Sequence, residues 1–148
     1  MCRFLLTIAL VLSLCFTGCS DDSSTPITPD PDTLTLMTKD DSVIANAYIV
    51  RDAAEAFATA NNGVYARDPW YEETMDGRTL IDFLPEGKLL VNPYFGTRLD
   101  PMDGLAAAPG QVGYRRYTSI EPYGYTIDAV GADGATRLIV LYKDPREP

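Results

Sequence analysis

Histidine is absent from this chain of 148 residues, and cysteine occurs only within the first nineteen positions. Without histidine the sequence lacks the commonest general base and a frequent metal ligand, which excludes Ser-His-Asp triads and histidine-ligated zinc sites. No glycine-rich phosphate loop follows a strand, and no serine lies in a nucleophile elbow. Carboxylates are plentiful, so a glycosidase that uses a pair of acids stays open as an alternative.

Basic residues are also few. The chain has 12 Lys and Arg against 21 Asp and Glu, which gives a formal net charge of −9. This charge repels nucleic acid phosphates and anionic membrane surfaces, so we predict no nucleic acid partner. An acidic exterior keeps a domain soluble, and it can also attract divalent cations or basic partners.

The amino-terminal segment has the pattern of a targeting signal. Residues Phe4 to Phe16 form a run of thirteen uncharged positions, which is shorter than the roughly 20 residues of a membrane-spanning helix but suits the apolar core of a secretory signal. Gly18 and Cys19 then resemble the lipobox of bacterial lipoproteins, in which the cysteine after a small residue is lipidated and starts the mature chain. We therefore predict a signal peptide over residues 1–18 and a lipid on Cys19. An ordinary secretory signal cut nearby is the alternative.

This resemblance also implies a location. Multiple acylation would attach the chain durably to a membrane, and a residue other than aspartate after the cysteine, here Ser20, implies transfer to the outer membrane. We predict a lipid-anchored protein of the cell envelope, at the outer membrane, facing the periplasm or the cell surface. Because Cys2 and Cys15 leave with the signal, the mature chain forms no internal disulfide.

A flexible tether and one globular domain follow the signal. Residues 19–37 are rich in Ser, Thr, Asp and Pro and have no apolar periodicity, which predicts a tether. Residues 38–148 suffice for a single domain with a modest core.

The domain opens with a predicted helix. Thr38 and Asp41 have the spacing of a capping box, and Asn61 to Gly63 form a left-handed stop. Arg51 and Glu55 lie four residues apart, off the apolar face, as an ion pair would. The apolar face is a stripe of mostly small residues at steps of three and four, which suits close packing against a sheet: Val43, Ala47, Val50, Ala54, Phe57 and Ala58.

Residues 64–111 are rich in turn-forming residues. Leu80 to Leu84 is expected to form a single helical turn after Thr79, and Leu89 to Val91 is expected to form a short extended segment. We expect the apolar side chains of both segments to pack into the core. Trp70 and Tyr71 either pin this long loop to the domain, which we favour, or form a binding surface.

Three strands are predicted in the last third, over Val112–Ile120, Tyr123–Val130 and Thr136–Tyr142. Alternation in the middle strand indicates a sheet that is solvated on one face, with Thr126 and Asp128 outward. The third strand is apolar throughout, which indicates cover on both of its faces. Asp133 and Gly134 suit the turn between the last two strands.

The predicted fold class is therefore α+β: one amino-terminal helix packed on a carboxy-terminal, three-stranded antiparallel meander, with a long loop-rich middle region. Four segments in this order resemble the globular domain of type II secretion pseudopilins and related type IV pilin-like proteins. They are AAEAFATANNGVY (53–65), TLIDFLPEGKLLVNPYFG (79–96), PGQVGY (109–114) and YGYTI (123–127). A pseudopilin begins with a peptidase site and a long membrane-spanning helix; here a lipid and a tether take their place.

The resemblance implies a non-enzymatic, lipid-anchored module whose protein partners belong to a type II secretion or type IV pilus-like apparatus. The alternative is a cell-envelope lipoprotein that binds a glycan or peptide, with Trp70, Tyr71 and Tyr94 as stacking residues. No catalytic residue, cofactor or metal ligand is assigned. A structural calcium ion, which some pseudopilins carry, remains open against turn-forming or solvated roles for four aspartates: Asp100, Asp103, Asp128 and Asp133.

Overall fold

The apolar stripe predicted between Val43 and Ala58 lies on helix α1, which spans Pro31–Ala60 in a computed structural model that describes residues 31–117 and 124–144. All six stripe residues are buried, and Ala53 is buried beside them. The prediction of a core-facing helix is therefore confirmed. Its alanines let the helix backbone approach the sheet closely.

The predicted start of the helix at Thr38 is wrong. The helix begins at Pro31, so residues 31–37, which we assigned to the tether, are helical. Proline is tolerated in the first turn because that position needs no hydrogen-bond donor. Thr38 lies within the helix, where its carbonyl accepts a 3.0 Å hydrogen bond from the Ser42 hydroxyl. Residues 1–30, including the predicted signal peptide, Cys19 and the rest of the tether, lie outside the described residues.

The predicted stop of the helix is confirmed. Asn62 and Gly63 both have positive φ, at 55° and 83°. The Gly63 N–H donates to the carbonyl of Ala58 at 2.7 Å, which satisfies one of the carbonyls left unpaired at a helix end.

Among the described residues, six strands follow the helix, in two sheets. They are β1 (Leu90–Val91), β2 (Arg98–Asp100), β3 (Met102–Asp103), β4 (Val112–Arg116), β5 (Tyr125–Val130) and β6 (Arg137–Lys143). β1 and β2 form an antiparallel pair, and the other four form a sheet in the order β3-β4-β5-β6. β4 and β6 each pair antiparallel with β5, whereas β3 pairs parallel with β4.

The α+β class is thus confirmed, but the predicted three-stranded sheet is wrong in number and type. The sheet is mixed and has a fourth strand. At two residues, β3 is too short to carry an alternation that sequence reasoning would detect. β4 ends at Arg116 and β5 begins at Tyr125, so the predicted strands are too long by Tyr117 and Gly124. The rest of the predicted extensions, over 118–120 and at Tyr123, lies outside the described residues.

Helix α1 packs on one face of this sheet. The side chains that meet it come from β4 and β5, and all are buried: Val112, Tyr114, Tyr125, Ile127 and Ala129. β6 contributes partly buried Ile139 and Leu141.

The opposite face of the sheet, which we call the far face, differs from expectation on two strands. Thr126 and Asp128 of β5 were predicted to be solvated, but they are only 7% and 1% exposed. On β6, predicted to be covered, Val140 and Tyr142 are 51% and 65% exposed. The reason is strand order. β5 lies inside the sheet, and the middle region of the chain covers its far face, whereas β6 lies at the edge of the sheet.

The middle region supplies that layer. The Ala106 N–H donates to Asp128 Oδ1 at 3.0 Å, and a Cβ built on Gly113 of β4 would lie 2.3 Å from the Ala106 nitrogen. The predicted turn is a 3₁₀ helix at Leu80–Phe83, and its Leu80 is buried, as is Leu90 of β1. Both apolar runs therefore plug the core as predicted. Within the described part of the chain, no helix has the length and apolar character needed to cross a bilayer.

Candidate functional site

Trp70, one of the three candidate stacking residues, pins its loop to the domain. Its indole Nε1 donates to the carbonyl of Pro101 at 2.8 Å. Asp68 Oδ1 accepts the backbone N–H groups of Trp70 and Tyr71 at 2.8 and 3.1 Å, which fixes the turn. The interpretation of this tryptophan as a pin is confirmed. Tyr71 is different, because its side chain is 77% exposed.

Tyr94 lies against α1. Its hydroxyl donates to Asp40 Oδ1 at 2.5 Å, and the Lys39 ammonium lies 5.3 Å from the centre of its ring. Burial, together with the hydrogen bond to the Asp40 carboxylate, raises the pKa of Tyr94 to about 12. The rings of Trp70 and Tyr71 contact each other edge to face at 6.3 Å, whereas Tyr94 joins the β1–β2 connection to the helix.

Asp128 and Asp133, two of the four candidate calcium aspartates, each bind more than one partner in the structure. Asp128 accepts the Ala106 N–H and forms an ion pair with Arg137. Asp133 accepts the N–H groups of Ala135 and Thr136 at 2.9 and 2.7 Å, and the Thr136 hydroxyl at 2.6 Å. These bonds, that of the hydroxyl foremost, lower the pKa of Asp133 to about 2. Asp133 thus builds the β5–β6 turn, as predicted from its Asp-Gly sequence.

The other two aspartates contrast in burial. Asp103 is exposed, whereas Asp100 at the end of β2 is completely buried. Asp100 Oδ1 accepts the Val112 N–H at 3.0 Å, and its Oδ2 has no hydrogen-bond partner among the described residues. Burial raises the pKa of Asp100 to about 6. The described part of the chain contains no cluster of three or more acidic or cysteine side chains that could hold a metal ion.

A cluster of one acid and two tyrosines, missed from the sequence, joins α1 to the sheet. Glu55 accepts hydrogen bonds from the hydroxyls of Tyr125 at 2.7 Å and Tyr65 at 2.9 Å. The two rings meet edge to face at 4.9 Å. Burial first, and then the hydrogen bond to Glu55, raises the pKa of both tyrosines well above the usual value.

The Arg51–Glu55 pair predicted from their spacing is not formed. Arg51 instead binds the neighbouring Asp52 at 2.7 Å, and Glu55 turns toward the tyrosines. The spacing of residues along one helix predicts only pairs within that helix. It gives no signal that Glu55 accepts hydrogen bonds from Tyr125 of a strand and Tyr65 of a loop.

The loop after α1 carries the two most exposed large apolar side chains of the described residues, Met75 at 83% and Tyr71 at 77%. Met75 Sδ accepts a 3.3 Å hydrogen bond from the Asn62 amide at the end of α1. Val64, which lies between the helix and Tyr71 in the sequence, is 39% exposed. We call these three residues, Val64, Tyr71 and Met75, the loop surface.

An open depression of about 240 Å³ lies beside Asp40, in the first third of α1. Asp40 of the helix and Leu138 of β6 border it, together with Asp133 and Thr136 of the β5–β6 turn.

Comparison with known proteins finds no counterpart. No family model, no curated protein and no solved structure matches this chain.

Proposed function

We propose that this chain is a lipid-anchored, non-enzymatic interaction module of pilin-like build, attached through Cys19 to the outer membrane, with protein partners in a secretion or pilus-like apparatus. The observation that carries the proposal is the packing of a long, alanine-lined helix across antiparallel strands at the carboxy-terminal end of the domain. A pilin-like head requires this arrangement.

Contacts between the segments that carry the family resemblance support the same conclusion. Glu55 and Tyr65, in the first segment, bind and pack against Tyr125 in the fourth. Asn92, in the second segment, is buried and donates to the carbonyl of Pro109 in the third at 2.9 Å. Each segment alone is an ordinary turn-forming sequence. In the structure, however, the segments contact one another, as expected if they belong to one shared fold.

The structural contacts of three acidic side chains support a non-enzymatic role. Asp128 and Asp133 hold a covering segment and a turn, and Glu55 holds the helix to the sheet. Groups occupied in this way are not free to bind and transform a substrate. The module would then act through its surfaces.

The geometry of α1 suggests which surface would meet a partner. The helix has 30 residues and is therefore about 45 Å long at 1.5 Å per residue. A lipid on Cys19 would attach the chain on the side where the helix begins, whereas the loop surface follows its other end. Val64, Tyr71 and Met75 would thus face away from the bilayer.

Site-specific photocrosslinking in cells tests this proposal. A photoreactive residue at Tyr71 or Met75 should capture components of a secretion or pilus apparatus, and the same residue at Phe95, which is also exposed at 58%, should capture far less. Equal capture from the three positions, or capture of unrelated proteins only, would contradict the proposal. Metabolic labelling with a fatty acid, compared with Cys19→Ser, tests the anchor.

A glycan or peptide ligand is the second candidate, favoured by the exposed ring of Tyr71. Under that hypothesis, Tyr71→Ala should abolish saturable glycan or peptide binding by the full chain. Crosslinking at Tyr71 would then recover no component of a secretion apparatus.

A further inference from the structure

One long edge of the main sheet is open among the described residues. β6 pairs with β5 on one side, and no described strand pairs with its other side. Proteins usually protect such edges with short strands, prolines or bulges. The opposite edge follows this rule, because β3 has two residues. β6 has seven residues and no proline, and its one register shift against β5, at Leu138, lies near its start and leaves 139–143 regular.

The side chains of β6 make this edge apolar. Residues 138–142 read Leu-Ile-Val-Leu-Tyr, without a charge. On the far face of the sheet, Val140 and Tyr142 are 51% and 65% exposed, while their neighbours on β5 are buried. A strand added at this edge would pair with the open backbone groups of β6 and, at the same time, cover the exposed side chains of Val140 and Tyr142.

The apolar run is complementary to itself. In an antiparallel pair of two β6 strands centred on Val140, each Val140 meets the other, and Ile139 meets Leu141. Leu138, which the register shift against β5 skips, packs on the core with Ile139 and Leu141 and does not oppose Tyr142. The cross-strand pairs over residues 139–141 are then apolar on both sides, which is the kind of pair that stabilises a sheet. A two-fold contact of this sort needs one surface that matches its own copy.

Charge also matches across the two-fold axis. Lys143 is paired with Tyr125, so it lies on the face of the sheet that meets α1. In the antiparallel pair, this lysine arrives beside the start of the other β6, where Asp40 and Asp133 border the open depression. Arg137 is the residue that this register would place opposite Lys143. The register shift at Leu138 sets Arg137 beside Val130, and its guanidinium is paired with Asp128, so the two cations lie on opposite faces of the sheet.

We propose that the chain forms a two-fold dimer through antiparallel pairing of β6 with β6 of a second copy, in which Lys143 of each copy enters the depression between Asp40 and Asp133 of the other. The two four-stranded sheets become one, bounded at both ends by the short β3. The assembly is closed, because pairing consumes the long edge of each copy. This dimer does not depend on the proposed function or on the lipid.

Cysteine crosslinking at the axis tests the pairing. In the full chain with Cys2, Cys15 and Cys19 replaced by serine, Val140→Cys brings two thiols to opposite positions of an antiparallel pair. Cα atoms there lie about 4.5–5.5 Å apart, within the range of a disulfide. Mild oxidation should link this variant rapidly, whereas Tyr71→Cys, which is more exposed, should link slowly. Equal rates for the two variants would overturn the proposal.

Sedimentation of the full chain tests the charge match. The cysteine-free protein should be dimeric, and Lys143→Glu should weaken the dimer by about tenfold, because two exposed ion pairs become repulsions. The effect of Lys143→Glu should shrink at high salt, while circular dichroism confirms that the variant is folded. A protein that stays monomeric at all concentrations, or a dimer that Lys143→Glu leaves unchanged, would overturn the proposal.

Discussion

The Glu55 carboxylate accepts a 2.7 Å hydrogen bond from the hydroxyl of Tyr125, 70 residues further along the chain. The bond joins the last third of α1 to the first residue of the central strand. Tyr65 donates to the other oxygen of the same carboxylate. One acid thus ties together the helix, the strand and the loop that follows the helix.

Tyr125→Phe should lower the free energy of unfolding by about 1.5–3 kcal/mol, because it removes a hydrogen bond to a charged acceptor. Chemical denaturation measures the change. Tyr48→Phe is the matched control: its side chain is 40% exposed on the same helix as Glu55, and the change should stay within about 0.5 kcal/mol. Equal effects of the two variants would show that the bond to Glu55 contributes little.

Asp100 should make stability depend on pH. Burial raises the pKa of this carboxyl group in the folded state to about 6, from an ordinary value of 3.8. The stability that the protonated form contributes is therefore fully present below about pH 4 and is lost as the pH rises through about 6. At 1.36 kcal/mol for each pKa unit, the loss amounts to about 3 kcal/mol.

Urea denaturation of wild type and Asp100→Asn between about pH 4 and pH 7 measures this dependence. The difference in unfolding free energy between the two proteins should shift in favour of the variant as the pH rises. Asp103→Asn, at an exposed position on β3, should run parallel to wild type. A difference between wild type and Asp100→Asn that stays constant with pH would contradict the assignment.

Gly113→Ala should destabilise the domain strongly. The added Cβ would lie 2.3 Å from the Ala106 nitrogen and 2.5 Å from the Gly104 carbonyl, and backbone atoms cannot move aside as a flexible side chain can. We expect a loss of about 1–3 kcal/mol, typical of overpacking, in thermal or chemical denaturation.

Gly131→Ala is the comparison for Gly113→Ala. Its Cβ would come to 3.3 Å from the tip of the Leu138 side chain, which can adjust. A smaller loss is therefore expected at Gly131. If the two substitutions cost the same, the covering segment over β4 is less closely packed than the structure indicates.

Trp70→Phe and Tyr71→Phe separate the pin from the exposed ring beside it. Loss of the indole N–H bond to Pro101 should cost about 1 kcal/mol of unfolding free energy, because the buried carbonyl loses its donor. Tyr71→Phe should leave stability within about 0.5 kcal/mol of wild type, since that side chain is 77% exposed. Destabilisation by Tyr71→Phe alone would reverse these roles.

Much of the local structure was accessible from the sequence. The stripe from Val43 to Ala58 follows the helical period, and Asn62 and Gly63 tolerate the left-handed conformation that ends the helix. Asp133 and Gly134 predicted their turn for a similar reason. These features depend on backbone geometry over a few residues, which the residue types themselves constrain.

The start of α1 escaped prediction because its first turns carry no periodic apolar face. Thr38 has the residue type of a helix cap, yet the helix continues seven residues upstream to Pro31. A capping pattern indicates only where a helix is able to begin. Upstream of Thr38, Leu34, Leu36 and Met37 form helix readily, and Pro31 and Asp32 suit a first helical turn, so the helix extends to Pro31.

The sequence by itself determined which residues share a face of the helix or of a strand, because side-chain direction repeats with a fixed period along each element. Only the tertiary structure decided how deeply each face is buried. Asp128 is buried on a central strand while Tyr142 is exposed at an edge, the reverse of what their polarity suggests. Strand order and the covering loop set that outcome through contacts between segments far apart in the chain.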